Sequence, residues 1–483
     1  MEPISRRRAL QLGALGTAGV VVGGWGLARQ LTGLGSAAPA GGGGVLGSPP
    51  ELRSRGDVLE VELEAAPRTV TVGGERVTML GYADGASGPT LRLRPGDRLA
   101  IRLRNRLEEA TNLHVHGLHV SPEGNGDNPF VTIEPGEHFD YSYQLPPDHP
   151  AGSYWYHPHL HGTVADQVFG GLYGAIVVEE DTPVPVARER VLIISDVSFD
   201  GAGNVRRASR PERMMGREGE LLLVNGQIQP VLEGRPGERE RWRVVNACAS
   251  RYLRLAVGGQ RLQLLGMDLD RSARPSEVDE VVLVPGNRAD LLVTLHAGTA
   301  AVRTLGYDRG GMGMMTSGAA SGPATLATLA VAGDAVAEGA ALPDAPTPRD
   351  LRTGDVDRRR ELTMAMGMGR GMGMGAMSFT IDGREFDHER TDQRVDAGAV
   401  EEWTIRNTSP MDHPFHLHVW PMQIVEERGT AVEEPRWRDV VDIPAGGQVV
   451  VRIPFEDFAG RTVYHCHILD HEDLGMMGVV EAG

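Results

Sequence analysis

Residues 464–477 read YHCHILDHEDLGMM, and this stretch decides both the fold and the chemistry of the chain. Cys466 stands between His465 and His467. His471 follows five residues after the cysteine, and Met476 five residues after that. A thiolate, several imidazoles and a thioether in so short a span form a soft nitrogen–sulfur donor set of the kind that selects copper. Successive side chains on an extended strand face opposite ways. A strand through this stretch therefore aims Cys466 to one side and His465 and His467 to the other. The cysteine can then hold one metal while its neighbours reach a separate cluster behind the strand. A buried cysteine beside surface histidines is the plainer reading, and three further histidine groups weigh against it. They are His114 and His116 in NLHVHG, His157 and His159 in YWYHPHLHG, and His413, His416 and His418 in DHPFHLHV.

The histidines divide by spacing. His114/His116, His157/His159, His416/His418 and His465/His467 are four HxH pairs, two early in the chain and two late. Eight imidazoles suit three ions, ligated three, three and two, and a cluster supplied this way ties the first part of the chain to the last. Cys466, His413, His471 and Met476 remain as a separate set: two histidines, a cysteine and a weak axial methionine, the blue-copper arrangement. His119, His138, His149, His161, His296 and His388 have no place in this count.

Around these motifs the pattern is β. In TLRLRPGDRLAIRLRNRL, Leu91, Leu93, Leu99, Ile101 and Leu103 alternate with charged residues around a Pro-Gly-Asp turn. PGDRLAIRLRN is echoed by PGERERWRVVN and again by AGAVEEWTIRN. One β-sandwich unit repeated three times accounts for the echo, and Gly/Pro turns without βαβ alternation predict an all-β chain of Greek-key sandwiches. The length of 483 residues suits three such units. Their predicted extents are 55–182, 188–330 and 358–481, with a polar linker at 331–357. The middle unit has only His296 in its body and reads as a metal-free spacer.

A formal net charge of −17 argues against nucleic acid as a partner. Pairing Cys248 with Cys466, the only two cysteines, would take Cys466 from its metal, so Cys248 reads as a free buried thiol. Residues 1–28 begin with Arg6, Arg7 and Arg8 and continue as a Gly/Ala-rich apolar run, which suits an export signal; a retained anchor is the alternative. Residues 29–54 read as a flexible linker. No other stretch is long and apolar enough to span a membrane, so the mature chain is expected to stay out of the bilayer and to act as a monomer. In ELTMAMGMGRGMGMGAMSFTIDG, Met364, Met366, Met368, Met372, Met374 and Met377 are packed into fourteen residues with five glycines. Met and Gly specify packing poorly, whereas thioethers select Cu(I), so transient Cu(I) binding near the surface is expected there. A hairpin whose methionines merely pack is the alternative. Met312, Met314 and Met315 form a second, smaller cluster.

HVHG, YHPHLHG, HPFHLH and HCHILDHEDLGMM match, in order and spacing, the four copper motifs of the three-domain bacterial multicopper oxidases, and residues 55 to 481 resemble that laccase-like family. The resemblance implies three cupredoxin-like domains and four copper ions. It places type 1 copper on His413, Cys466, His471 and Met476, and type 2 copper on His114 and His416. One type 3 ion falls to His116, His157 and His467, the other to His159, His418 and His465. Asp127 and Glu472 match the family's acidic proton relays. Val115 stands where Trp is frequent and Val419 where Gly is common; neither change removes a ligand. The implied reaction couples four one-electron oxidations to reduction of O2 to two waters. Phenols, aromatic amines or Cu(I) are the implied reductants, with Cu(I) favoured by the Met-rich segment. SRRRALQ resembles a twin-arginine signal at Ser5, Arg6, Arg7 and Leu10, with Ala9 where Phe is usual, implying a periplasmic or extracellular protein. A non-catalytic copper-binding or sequestering protein is the rival reading; a complete ligand set argues against it. A two-domain nitrite reductase would share sites between subunits, whereas here one chain supplies every ligand.

Overall fold

The three echoed stretches build the same element three times. Strands Arg98–Asn105, Arg239–Asn246 and Val400–Asn407 each end on a buried asparagine. The side-chain amide of each donates to two backbone carbonyls further along the chain: Asn105 to Glu109 and Ile133, Asn246 to Arg251 and Leu283, Asn407 to Met411 and Ile443. Its oxygen accepts the N–H two residues on, from Leu107, Cys248 and Ser409. A buried loop has no strand ladder to pair its backbone, and the asparagine supplies the missing partners.

The computed structural model describes residues 43–311, 322–337, 339–343, 347–368 and 377–483. Their strands form six sheets, which fall into three successive pairs along the chain: five and four strands, then six and five, then seven and five. Each pair encloses an apolar core, with Leu91, Ile101 and Tyr141 in the first, Leu192, Trp242 and Leu291 in the second, and Trp403, Phe415 and Val451 in the third. The pairing scheme also repeats. Val58–Val72, Arg188–Val197 and Arg358–Met368 run parallel to the three asparagine-ending strands. Antiparallel partners lie on the other side, at His138–Gln144, Arg288–Thr294 and Gln448–Pro454. A parallel neighbour needs a crossover rather than a hairpin, which is how a two-sheet cupredoxin-like sandwich is wound. Modules two and three share a buried ion pair as well. The indole N–H of Trp242 donates to Glu240 and that of Trp403 to Glu401, and Arg190 and Arg360 pair with those carboxylates across the parallel ladder. Two donors and an opposite charge are what a buried carboxylate requires.

The structure differs from the alternation pattern in two places. VTIEPGEHFDYSYQL at 131–145 reads as two strands around a Pro-Gly turn, but residues 131–133 make only an isolated bridge, Thr111 with Ile133, and only the second limb, His138–Gln144, is a strand. Three short helices also appear among the described residues: Val164–Gly170, Arg210–Met215 and Leu469–Asp473. The second carries a local signal, a capping box from Ser209 and Glu212 with proline in its first turn. The first is capped from far away: the Asp473 carboxylate accepts the N–H groups of Gly162, Val164 and Ala165 at 2.7, 3.2 and 2.9 Å. Nearby, Arg217 of the middle module donates to Asp470 of the last (2.7 Å) and to Asp166 of the first. The three modules therefore interlock around the segment that carries Cys466 and His471. No described helix is long and apolar enough to cross a membrane.

Candidate metal centre

The asparagine brace sets where the first histidines fall. His114 lies nine positions after Asn105, and His416 nine positions after Asn407; Leu255 holds the same place after Asn246. In the outer modules the strand following the braced loop thus carries an HxH pair, and in the middle module it carries Leu255-Ala256-Val257. Strand His114–His116 pairs with Gly152–His157, setting His114 opposite His157. Strand His413–Leu417 pairs with Gly460–Cys466, setting His416 opposite His465 and Phe415 opposite Cys466.

All eight paired histidines are buried, and they converge. His114 Nε2 and His416 Nε2 are 3.3 Å apart. His159 Nε2 lies 3.0 Å from His465 Nε2 and 3.1 Å from His418 Nε2, with 3.2 Å between the latter two. The rings of His116, His157 and His467 lie 5.0 to 5.7 Å apart. Most rings are held at the nitrogen that points away from the cluster. His114 Nδ1 donates to Asp127 (2.9 Å), His157 Nδ1 to the Pro158 carbonyl (2.8 Å), His416 Nδ1 to the Asp439 carbonyl (2.8 Å) and His465 Nδ1 to the Cys466 carbonyl (3.0 Å). His116 is held at the other nitrogen, Nε2, by the Asp439 carboxylate (3.1 Å).

These contacts leave His116 Nδ1, His157 Nε2 and both nitrogens of His467 buried without a hydrogen-bond partner. Unpartnered buried nitrogens are costly unless they ligate. Burial, reinforced by the neighbouring histidines, pushes the imidazoles of His114, His116, His159, His416, His418 and His467 well below the usual range, and burial takes His157 to about 3. Neutral imidazoles with inward lone pairs are the form that binds a metal. The residues therefore fit a metal cluster, and several three-residue sets have donor atoms within 4.8 Å of one another, among them His159, His418 and His465.

Cys466 faces away from that cluster, as the alternation predicts. Its Sγ lies 3.3 Å from His413 Nδ1 and 3.9 Å from His471 Nδ1, and His413, Cys466 and His471 form a second compact donor set. The short helix Leu469–Asp473 folds His471 back to the cysteine, and the Cys466 N–H donates to the Met476 carbonyl at 3.0 Å. Burial pushes the Cys466 thiol far up, so a thiolate here requires a bound cation. The outer nitrogens are again held: His413 Nε2 by Ser409 Oγ (2.7 Å), which is bound to Asn407, and His471 Nε2 by the Met214 carbonyl (3.2 Å). Phe379 stacks on the His471 ring at 4.6 Å.

Asp127 is buried against His114, and burial raises its carboxyl to about 8. Glu472 places Oε2 3.0 Å from His465 Nδ1 and Oε1 3.3 Å from His159 Nε2. Of the methionine segment, Met364 sits in the core rather than near the surface, because alternation along Arg358–Met368 turns Leu362 and Met364 inward. Met366 and Met377 are half-buried against the same core. Met372, Met374, the side chain of Met368 and the Met312, Met314 and Met315 cluster lie outside the described residues. Cys248 and Cys466 are both free. The unassigned histidines stay out of the cluster: His119 contacts Asp457, His161 packs on Phe386, and His388 contacts Glu389. Sequence reasoning missed Asp439 and Ser409, which hold the rings of His116, His416 and His413, and neither has a local signal.

Family profiles described as "Multicopper oxidase" match residues 64–183, 191–311 and 355–483. The structure is similar to that of the multicopper oxidase from Campylobacter jejuni, titled a metallo-oxidase, with a TM-score of 0.81 and 30% identity, covering 91% of this chain and 95% of that one. The multicopper oxidase mco of Staphylococcus aureus is 27% identical over 83% of each chain. The cell division protein FtsP of Edwardsiella tarda is 28% identical over 93% of each.

Proposed function

The chain belongs to the multicopper oxidases and is a copper-dependent, O2-reducing oxidoreductase; from that premise we propose that it oxidises Cu(I), and more slowly phenols and aromatic amines, while reducing O2 to two waters. Bound copper would supply the one-electron transfers and the four-electron reduction of O2. His413, Cys466, His471 and Met476 would hold the type 1 ion. His114 and His416 would hold the type 2 ion, and the two type 3 ions would rest on His116, His157 and His467 and on His159, His418 and His465. The observation that carries this reading is the set of inward, unpartnered nitrogens on His116, His157 and His467 beside the tight His159–His418–His465 group.

The residues around the ligands divide the remaining work. The Cys466 main chain and thiolate link the two sites, since His465 and His467 are its covalent neighbours. Asp127 takes the His114 Nδ1–H, and Glu472 stands within 3.3 Å of two ring nitrogens; both are assigned as proton relays into the buried histidine cluster.

Two contacts support Cu(I) over bulky aromatics. His471 is buried, and its outward nitrogen is covered by the Met214 carbonyl, so a large ring has no direct approach to that edge. Phe379, which covers the other face of the ring, pairs with Met366 in the hairpin ladder, and Met377 pairs with Met368. Thioethers on that hairpin would bring a cuprous ion beside the electron-accepting histidine. Deleting 366–374 should impair Cu(I) oxidation more than dye oxidation; equal loss of both would count against delivery by this segment. A non-catalytic role is the second reading, prompted by the relative named for cell division. Steady O2 consumption with a reductant excludes it. Residues 1–28 are assigned to twin-arginine export into the periplasm or beyond; the tether expected over 29–54 is shortened at its end, since Val45 bridges Val231 and Glu51–Arg53 pairs with Thr90–Leu93, and modules at 55–182, 188–330 and 358–481 with a linker at 331–357 follow in a monomeric chain.

A further inference from the structure

The middle module reaches the oxygen-reducing centre. Its turn at 284–288 lies against the histidines, and Gly286 packs so closely (φ +88°) that a Cβ there would stand 3.0 Å from His467 Nε2 and 3.1 Å from His116 Cε1. Two residues on, Arg288 is fully buried. Its Nε donates to the Ser153 carbonyl of the first module at 2.9 Å, and its two terminal nitrogens donate to the Asp439 carboxylate of the last at 2.6 and 2.5 Å. Asp268 backs it from within its own module, taking the Arg288 N–H at 2.9 Å and lying 3.2 Å from the guanidinium.

Asp439 touches two cluster histidines at once. Its carboxylate accepts His116 Nε2–H, and its backbone carbonyl accepts His416 Nδ1–H. Gly117, next to His116, closes the pocket: a Cβ there would meet Asp439 Oδ2 at 2.6 Å and an Arg288 nitrogen at 2.7 Å. His114, His157, His416 and His465 are held at Nδ1, but His116 is held at Nε2, so its inward nitrogen is Nδ1. An imidazole offers either nitrogen, and the hydrogen bond at one decides which is left for a metal. We propose that Arg288 is a positioning residue of the O2-reducing centre, fixing Asp439, whose carboxylate turns His116 Nδ1 inward and whose backbone carbonyl turns His416 Nε2 inward.

This inference rests on the copper assignment made above, and the tests separate the two. The variants are Arg288→Met, Arg288→Lys, Asp439→Asn and Gly286→Ala, each measured as copper-loaded protein for copper per chain, the type 2 electron paramagnetic resonance signal, the type 3 absorption and the visible type 1 band. Arg288→Met is expected to bind cluster copper ~10–100-fold more weakly and to alter the type 2 and type 3 signatures, with the type 1 band of Cys466 retained. Arg288→Lys should restore part of the loss, since an ammonium can hold one carboxylate oxygen but not both. Gly286→Ala keeps every charge and sets a Cβ against His467 and His116 at a backbone φ of +88°; it should disturb the same signatures, and together with Asp439→Asn it replaces Arg288→Met as the test should that variant not fold. Full copper with unchanged type 2 and type 3 signals in Arg288→Met, or in both Asp439→Asn and Gly286→Ala, overturns the inference. Absence of those signals from the unaltered protein overturns the copper assignment and the inference with it.

Discussion

Replacing Asn407 with alanine removes one copy of the brace that recurs in all three modules, and the other two copies are its controls. The asparagine donates to the Met411 and Ile443 carbonyls at 2.7 and 3.0 Å and accepts the Ser409 N–H at 2.9 Å. All of this is buried, so alanine leaves these backbone groups short of partners. The Met411 carbonyl keeps Ser409 Oγ at 3.1 Å, which spares part of the loss. At about 1 kcal/mol for each bond lost, the variant should be destabilised by about 2–3 kcal/mol. The same oxygen of Asn407 also takes the Ser409 hydroxyl, which holds His413 Nε2. Asn407→Ala should therefore weaken or shift the visible band of the cysteine site as well. Asn246→Ala should lose a comparable amount of stability and keep the visible band of the cysteine site, because none of the proposed type 1 ligands follows it; its bond to the Leu283 carbonyl braces the 284–288 turn, so it is a control for that band alone. Asn105→Ala should disturb the type 2 and type 3 signatures through His114. Denaturant unfolding of the metal-free proteins measures the first effect, and visible and paramagnetic spectra of the loaded proteins measure the second. Loss of the blue band in Asn246→Ala, or a cost below about 1 kcal/mol in Asn407→Ala, would refute the reasoning.

Two further expectations concern module contacts. Asp470→Asn leaves the buried Arg217 with only Asp166 and should cost about 3–5 kcal/mol in denaturant unfolding, whereas Arg217→Met with Asp470→Leu should recover most of it; equal stability of the single and double variants would contradict this. Burial pushes Glu180 up, but the guanidiniums of Arg241 and Arg243 outweigh it and hold its carboxyl at about 2. Its folded value lies below the unfolded one, so its contribution is complete above about pH 4.5 and is lost as pH falls towards 2. Glu180→Gln should flatten acid unfolding in that window and lower neutral-pH stability by roughly 3 kcal/mol; an unchanged acid transition would count against the pairing.

The clustering of metal-binding side chains was legible because donor chemistry is local: an HxH pair on a strand, or His-Cys-His, declares its donor types and the faces they take. The triple repeat was legible for the same reason, as PGDR, PGER and AGAV each open a strand ending in Asn. The same regularity concealed Arg288. PGNR at 285–288 reads like PGDR at 95–98 and PGER at 236–239, yet Arg98 and Arg239 are half-exposed where Arg288 is buried between modules. Asp439 and Asp473 were hidden likewise, since a carboxylate becomes an orienter or a helix cap through packing at long sequence separation. Met364 belongs to the core although its glycine-rich surroundings suggest otherwise, because its strand register, set by pairing with Val400–Asn407, turns it inward.

The account stands on two separate metal sites joined through one cysteine, and copper counting in Cys466→Ser tests it most directly. The unaltered chain should carry about four coppers, and the variant about three, with the intense visible band gone and the type 2 and type 3 signatures kept. Loss of all copper together, or a chain that never holds more than one or two ions, would contradict it.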